Sequence, residues 1–317
     1  MESNKKVLLS GIKPTGKAHI GNYFGALKQW VDFQYDYDTH IFIPTFHALT
    51  GNYISRETLK KQEYDLVLDL LGIGIDPEVV TLWRQQDVPE VTELAWIFSC
   101  ITTIPQLMRA HAFKDAEAKN KDISVGTFNY PLLMAADIVM YDTSVVPVGQ
   151  DQVQHVEIAR ELVRKFHQSF GEHVFIEPQE LVVKEVAIVP GVDGQKMSKS
   201  YNNTIPLFGT DEEIKKAVMS IITDSGSDIP TNVYAIHKLF RSEQELQELY
   251  KEKKGKYKDL KESLLTDILD HLIPMRERRA YYESQPEIVA EILKRGAEKA
   301  KIKAIQKMQL VRERIGL

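Results

Sequence analysis

The sequence predicts an α/β fold: a doubly wound parallel sheet followed by an all-helical domain. Three observations carry this reading. Short apolar runs of strand type alternate with segments of helical period through the first 200 residues, as in a parallel sheet with crossover helices. After residue 205 the β-branched runs disappear and only helical periods remain. Between the first strand and the first helix lies a glycine-rich turn, and open α/β sheets bind ligands at such turns.

The elements follow in order. Residues 7–9, Val-Leu-Leu, read as a buried strand that Gly11, Pro14 and Gly16 break. Ile20, Phe24, Leu27 and Val31 then recur at helical spacing. Residues 41–45 read as a second strand, 56–71 as a helix stopped by Gly72 and Gly74, and 79–83 as a third strand. Helices are expected at 91–101, 105–112 and 131–141, a strand at 145–148 and an amphipathic helix at 153–166. Together these make a Rossmann-like domain over 1–205. Helices at 211–221, 232–240, 243–250, 258–282 and 286–314 form a second domain, 206–317, whose last helix is placed to pack back on the first.

Composition narrows the function classes. With 43% hydrophobic and 27% charged residues, the 317-residue chain has an ordinary globular balance. It has no apolar run long enough to span a bilayer, and no signal peptide is apparent, so a cytoplasmic location is expected. A single cysteine, Cys100, excludes an internal disulfide or a cysteine-based metal site. The net charge of −5 argues against indiscriminate nucleic-acid binding. A local basic face remains open: Lys294, Arg295, Lys299, Lys301, Lys303, Lys307, Arg312 and Arg314 outnumber Glu298 and Glu313 in the last two dozen residues. A solvated helix face explains these cations equally well.

Three stretches carry chemistry. Lys196-Met-Ser-Lys-Ser200, near Gly191 and Gly194, places two ammonium groups three residues apart in a loop suited to gripping a polyphosphate. A solvated loop is the plainer alternative. His19 sits between Gly16 and Gly21, just before a helix start whose free N–H groups favour an anion. The turn is neither GxGxxG nor GxxxxGK[ST], so the dinucleotide and P-loop readings are poor. Phosphate or transition-state contact by His19 is favoured over a hydrogen-bonded loop histidine. Asp137 stands alone among Leu133, Met134, Ala135, Ala136, Ile138, Val139 and Met140. A carboxylate there needs donors, either from backbone N–H groups or from a ligand. Indole is flat, apolar and carries one N–H donor and no acceptor, so it complements such a pocket.

Taken together, His19-Ile-Gly-Asn22 and Lys196-Met-Ser-Lys-Ser200 resemble the two signature motifs of class I aminoacyl-tRNA synthetases, with Asn22 in place of a final histidine. The segments Tyr130-Pro-Leu-Leu-Met-Ala-Ala-Asp137 and Val146-Pro-Val-Gly-Gln-Asp-Gln-Val-Gln-His155 resemble the bacterial tryptophanyl members of that family. The likeness runs along nearly the whole chain. It implies adenylate formation from L-tryptophan and ATP, with Mg²⁺ riding on the triphosphate, then transfer to tRNA(Trp) by a cytoplasmic homodimer. No metal site and no protein nucleophile are expected. The helical domain would read the anticodon, and the apolar stretch 96–108 would serve either as core or as dimer interface.

The resemblance also implies residue roles. His19, Asn22, Lys196 and Lys199 would be catalytic. Lys13, Pro14, Thr15, Gly21, Asn22 and Lys114 would line the phosphates, with Met197, Ser198 and Ser200 shaping the lysine loop. Gly149, Gln150 and Asp151 would follow the ribose, and Ile188 would offer backbone groups to adenine. Asp137 would take the indole N–H with Met134 against the ring, and Tyr130 and Gln152 would hold the ammonium. His47 would close the pocket or serve as a core histidine. Three positions depart from the family pattern: Lys13 where glutamine is expected, Ala116 where a second lysine is common, and Thr45-Phe46 where Asp-Gln is usual. Lys13 is expected to restore the phosphate charge lost at position 116. A tyrosyl enzyme, a small nucleotidyltransferase and a non-catalytic relative of the synthetases are the competing readings.

Overall fold

The computed structural model describes residues 5–317 apart from 51–53, 111–112, 115–116, 118–122, 150–152, 172, 183–188 and 224–228. Among the described residues, five parallel strands form one sheet in the order β3-β2-β1-β4-β5. They are β1 (Val7–Gly11), β2 (Asp38–Ile43), β3 (Thr81–Arg84), β4 (Val145–Val148) and β5 (Gln179–Val182). The order reverses between β1 and β4, so their carboxyl ends open a crevice where neither strand's crossover covers the sheet edge.

The differences from the predicted elements have local causes. β2 begins at Asp38 and ends at Ile43, because Pro44 turns the chain into a short helix, Thr45–Ala48. β3 starts two residues late: Asp76 draws residues 76–80 into a turn, its side chain accepting from Glu78 N–H at 2.9 Å and its carbonyl from Val80 N–H at 2.9 Å. β5 was not predicted at all. Among the described residues it pairs only with β4, and its Gln-Glu-Leu-Val is half-buried, without the apolar run of a central strand. The Arg56–Ile73 helix runs through Gly72, and only Gly74, at φ 110°, ends it. Gly72 is kept for closeness rather than for stopping: an added Cβ would lie 2.9 Å from the Cβ of Arg279. The Val125–Val139 helix starts six residues before the predicted position, because Ser124 Oγ caps it by accepting from Thr127 N–H at 3.1 Å.

The first helix is not uniform. It comprises Ile20–Asn22, a π-helical stretch Tyr23–Leu27 and a continuation Lys28–Phe33. Beyond the lysine loop come helices Asp211–Met219, Thr231–His237, Glu243–Glu252, Tyr257–Glu283 and Pro286–Ile315. Leu260, Leu264, Ile268 and Leu272 recur every fourth residue, and all are fully buried. Leu264, Ile268 and Leu272 share a core with Leu66, Leu70 and Ile73 of the Arg56–Ile73 helix.

The last helix lies on β3. Ala300, Ala304, Met308 and Val311 enter the core that holds Trp83 and Phe98. Burial of Met308 and Val311 stabilises this docking by roughly 1.5–3 kcal/mol each. At Gly296 the helix backbone meets the sheet so closely that a Cβ would stand 1.9 Å from the Leu82 carbonyl oxygen. This docking consumes cations that the sequence offered as a phosphate footprint. Arg295 pairs with Glu78 at 2.7 Å, Lys303 with Asp38 at 3.2 Å and Lys307 with Asp142 at 2.6 Å, and Arg312 donates to Glu93 at 2.8 Å. The basic imbalance there is, in good part, counter-charge for the sheet domain.

Candidate active site

A cavity of about 270 Å³ opens at the carboxyl ends of β1 and β4. Ser10 and Gly11 from β1, Val148 and Gly149 from the end of β4, and Tyr130, Met134 and Asp137 from the Val125–Val139 helix line it. Gly25 and Ala26 of the π-helical stretch form another wall. Residues 130, 134 and 137 share one face of their helix because the spacings of four and three residues match its period.

At the inner end Asp137 is only 2% exposed. It is not the lone polar group that the sequence suggested. Gln85 Nε2 donates to both of its carboxylate oxygens, each at 2.8 Å. His47 Nε2 lies 2.8 Å from Oδ2. Gln85 is itself fixed, because its Oε1 accepts from Phe46 N–H at 2.9 Å. Burial raises the Asp137 pKa, while the bonds from His47 and Gln85 oppose that rise. His47 thus serves pocket and core together: it holds Asp137, and its ring meets Tyr130 edge-on at 4.4 Å. With Nε2 toward the carboxylate, His47 Nδ1 is buried with no hydrogen-bond partner among the described residues. Gln85 was missed from sequence. The one available signal was its place directly after a strand, at the sheet's carboxyl edge.

Lys13 lies half-buried at the mouth of the same cavity, its Nζ 4.4 Å from the centroid of the Tyr130 ring. Burial lowers its pKa. Burial, with the nearby Asp137 charge, pushes the Tyr130 hydroxyl up to about 12.

At the outer end His19 caps the first helix. Its Nδ1 accepts from Asn22 N–H at 3.2 Å, and Asn22 Oδ1 accepts from His19 N–H at 3.2 Å. This reciprocal box explains why Asn22 serves where a second histidine is usual: it braces the turn. Burial, then the charge of Lys199, pushes the His19 pKa down to about 4. The imidazole is therefore neutral at pH 7. Its Nδ1 is occupied as an acceptor, so the proton sits on Nε2, and that N–H is the ring's donor.

The lysine loop folds onto this turn. Lys199 Nζ donates to the carbonyls of Thr15 at 3.1 Å and Gly16 at 2.9 Å. Ser198 N–H donates to Asn203 Oδ1 at 2.7 Å, and Asn203 Nδ2 donates to Asp193 at 2.7 Å and to the Lys196 carbonyl at 3.1 Å. Met197 is buried, whereas Lys196, Lys199 and Ser200 are exposed. Downstream, Ile20 N–H donates to the Ile205 carbonyl at 3.0 Å and Leu207 N–H to the Ala18 carbonyl at 3.0 Å, which stitches the loop's exit to the His19 turn. At Gly21 the two motifs touch: a Cβ would lie 2.9 Å from His19 Nδ1 and 3.1 Å from the Met197 Cβ.

The structure thus brings Lys13, Pro14, Thr15, His19, Gly21, Asn22, Met197, Ser198 and Lys199 into one region, and His47, Tyr130, Met134 and Asp137 into the adjoining one. Lys114 is exposed. Gln150, Asp151, Gln152, Ile188 and Ala116 lie outside the described residues.

Comparison with known proteins adds an independent finding. The family described as tRNA synthetases class I (W and Y) matches residues 1–285. The tryptophan–tRNA ligase of Fusobacterium nucleatum is 44% identical over 317 residues, covering 98% of this chain and 97% of that one. The tryptophan–tRNA ligase of Rhodopirellula baltica is 42% identical, covering 98% and 99%. The crystal structure of the Campylobacter jejuni tryptophanyl-tRNA synthetase complexed with ADP and tryptophan superposes with a TM-score of 0.91 at 42% identity, covering 98% of this chain and 100% of that one.

Proposed function

The chain belongs to the tRNA synthetases class I (W and Y), and from that premise we propose how its site divides the work. The activity is ATP-dependent ligation of L-tryptophan to tRNA. In the first step the tryptophan carboxylate attacks the α-phosphorus of ATP, and the bond to pyrophosphate breaks. In the second, the 2′-hydroxyl of the terminal adenosine attacks the activated carbonyl and AMP leaves.

Asp137 carries the reading of the pocket. A carboxylate offers about four lone-pair sites. Gln85 and His47 use three contacts, which leaves room for one further donor, the indole N–H, beside Met134. Tyrosine would bring a hydroxyl that also needs a donor. Tyr130 and Gln152 hold the substrate ammonium. Gly149, Gln150 and Asp151 follow the ribose, and Ile188 meets adenine. Lys13, Pro14, Thr15, Gly21 and Lys114 line the triphosphate. The neutral His19 gives its Nε2–H to a phosphate oxygen while Asn22 holds the ring. Lys196 and Lys199 follow the departing pyrophosphate, with Met197 anchoring their loop and Ser198 and Ser200 shaping it. Phosphoryl chemistry of this kind relies on positioning and charge more than on a protein nucleophile. Mg²⁺ arrives with the triphosphate; among the described residues no group of three His, Cys, Asp or Glu is placed to hold a metal ion.

The region 206–317 reads the anticodon, and its last helix docks on β3. A second copy of the chain covers the apolar groove that Leu49 and Trp96 line together, each at least 66% exposed. Among the described residues no helix is long and apolar enough to cross a membrane, and the cytoplasm, where ATP and tRNA meet, is the proposed location.

ATP–pyrophosphate exchange tests this reading with tryptophan, tyrosine and no amino acid in parallel. Exchange with tryptophan alone is expected. Equal exchange with tyrosine would overturn the role of Asp137.

A further inference from the structure

Beneath the phosphate turn lies an acid that the mechanism does not use. Asp69, on the Arg56–Ile73 helix, is 4% exposed among Leu66, Leu68, Leu70 and Leu71. Its Oδ2 accepts from Ala18 N–H at 3.4 Å, one residue before His19. Its Oδ1 accepts from Arg279 Nε at 2.9 Å, on the Tyr257–Glu283 helix. The Arg279 guanidinium also packs over the ring of Phe208, 5.5 Å from its centroid, where the chain leaves the lysine loop. Arg279 therefore holds both strands of the stitched turn, one through Asp69 and one through Phe208. The other charges facing it are Asp65 at 3.5 Å and Glu283 at 3.0 Å, and from the loop side Lys199 feels the Asp69 charge.

A buried anion under a turn that must receive a triphosphate works against that ligand. Desolvation of the ion pair is also costly, so its contribution to stability alone is a weak reason for its place. We propose that Arg279 is a positioning residue for activation: by neutralising Asp69 it keeps the His19 turn receptive to ATP. This rests on the turn's reading as the triphosphate site.

Exchange kinetics on four proteins test this. Wild-type exchange with tryptophan checks the underlying reading first, so its absence would fail that reading before any variant is compared. Arg279→Gln is expected to raise the KM for ATP about tenfold, the scale of one uncompensated charge near the site, with the KM for tryptophan within about twofold. Adding Asp69→Asn to Arg279→Gln removes the anion while keeping an acceptor for Ala18 N–H, and is expected to return the KM for ATP to within about threefold of wild type. Arg279→Lys keeps the charge and should stay near wild type. If Arg279→Gln moves both KM values together or neither, or if the double variant is worse than the single, the proposal fails. Should Arg279→Gln not accumulate as folded protein, the double variant decides: a KM for ATP still tenfold above that of Arg279→Lys overturns it.

Discussion

The two ends of the site are built on opposite plans. At the end proposed for the amino acid the polar groups are tied before any ligand arrives: Asp137 takes three contacts of 2.8 Å, and Gln85 is locked in turn by Phe46 N–H. These groups come from two helices and a strand end packed into the core. At the end proposed for the phosphates the chemistry sits on a turn and a loop, and the exposed Lys199 rests on the carbonyls of Thr15 and Gly16, bonds that a triphosphate can replace. A pocket fixed in advance discriminates, because a wrong ligand leaves buried groups unpaired. A cation held by replaceable bonds can move with the pyrophosphate and act in the transition state.

Breaking the fixed end should have the largest effect. Asp137→Ala leaves the Gln85 and His47 donors unpaired and is expected to lower kcat/KM for tryptophan about a thousandfold or more in pyrophosphate exchange. A loss below about tenfold would mean the pocket does not depend on its anion. Next comes the contact between the two motifs. Gly21→Ala, whose Cβ would press on His19 Nδ1 at 2.9 Å, is expected to slow activation about a hundredfold through displacement of the imidazole. Single-turnover rates and thermal melts of the same preparation separate this from simple destabilisation. Gln85→Leu sharpens the comparison at a smaller scale. It should cost about tenfold in the preference for tryptophan over the isostere with sulfur in place of the ring N–H, since the carboxylate is no longer aimed. An unchanged preference would assign the aiming to His47 alone.

The smallest effect concerns pH. The folded His19 pKa, about 4, lies below the model-peptide value of 6.5. Between those values the unfolded chain binds more protons than the folded one, so stability is complete above pH 6.5 and falls as pH drops toward 4. His19→Asn should flatten the decline in melting temperature between pH 7 and pH 5. Parallel curves for the two proteins would show that His19 is not held neutral.

Much of this was legible in the sequence, for physical reasons that differ by region. The central strands and the amphipathic helices announce themselves because burial on fixed faces leaves a period, as Leu260, Leu264, Ile268 and Leu272 do. β5 left none, because an edge strand with one neighbour needs no apolar run. His19, Lys199 and Asp137 stood out because glycines, a lysine pair and a lone acid are conspicuous in their surroundings. Gln85 and Asp69 did not. Each matters through a partner 52 or 210 residues away, and such pairing leaves no mark on local spacing. The basic tail stayed ambiguous for the same reason: its cations look free in sequence, whereas Arg295, Lys303, Lys307 and Arg312 have acids waiting on the sheet domain.

The most direct test of the contrast between a fixed pocket and a moving loop is single-turnover tryptophanyl-adenylate formation by Lys199→Ala at varied ATP. The account predicts a rate at saturating ATP lower by about 10²–10³-fold, with the dissociation constant for ATP changed less than about threefold. A normal saturating rate with weakened ATP binding would contradict it, and would make the loop a ground-state clamp.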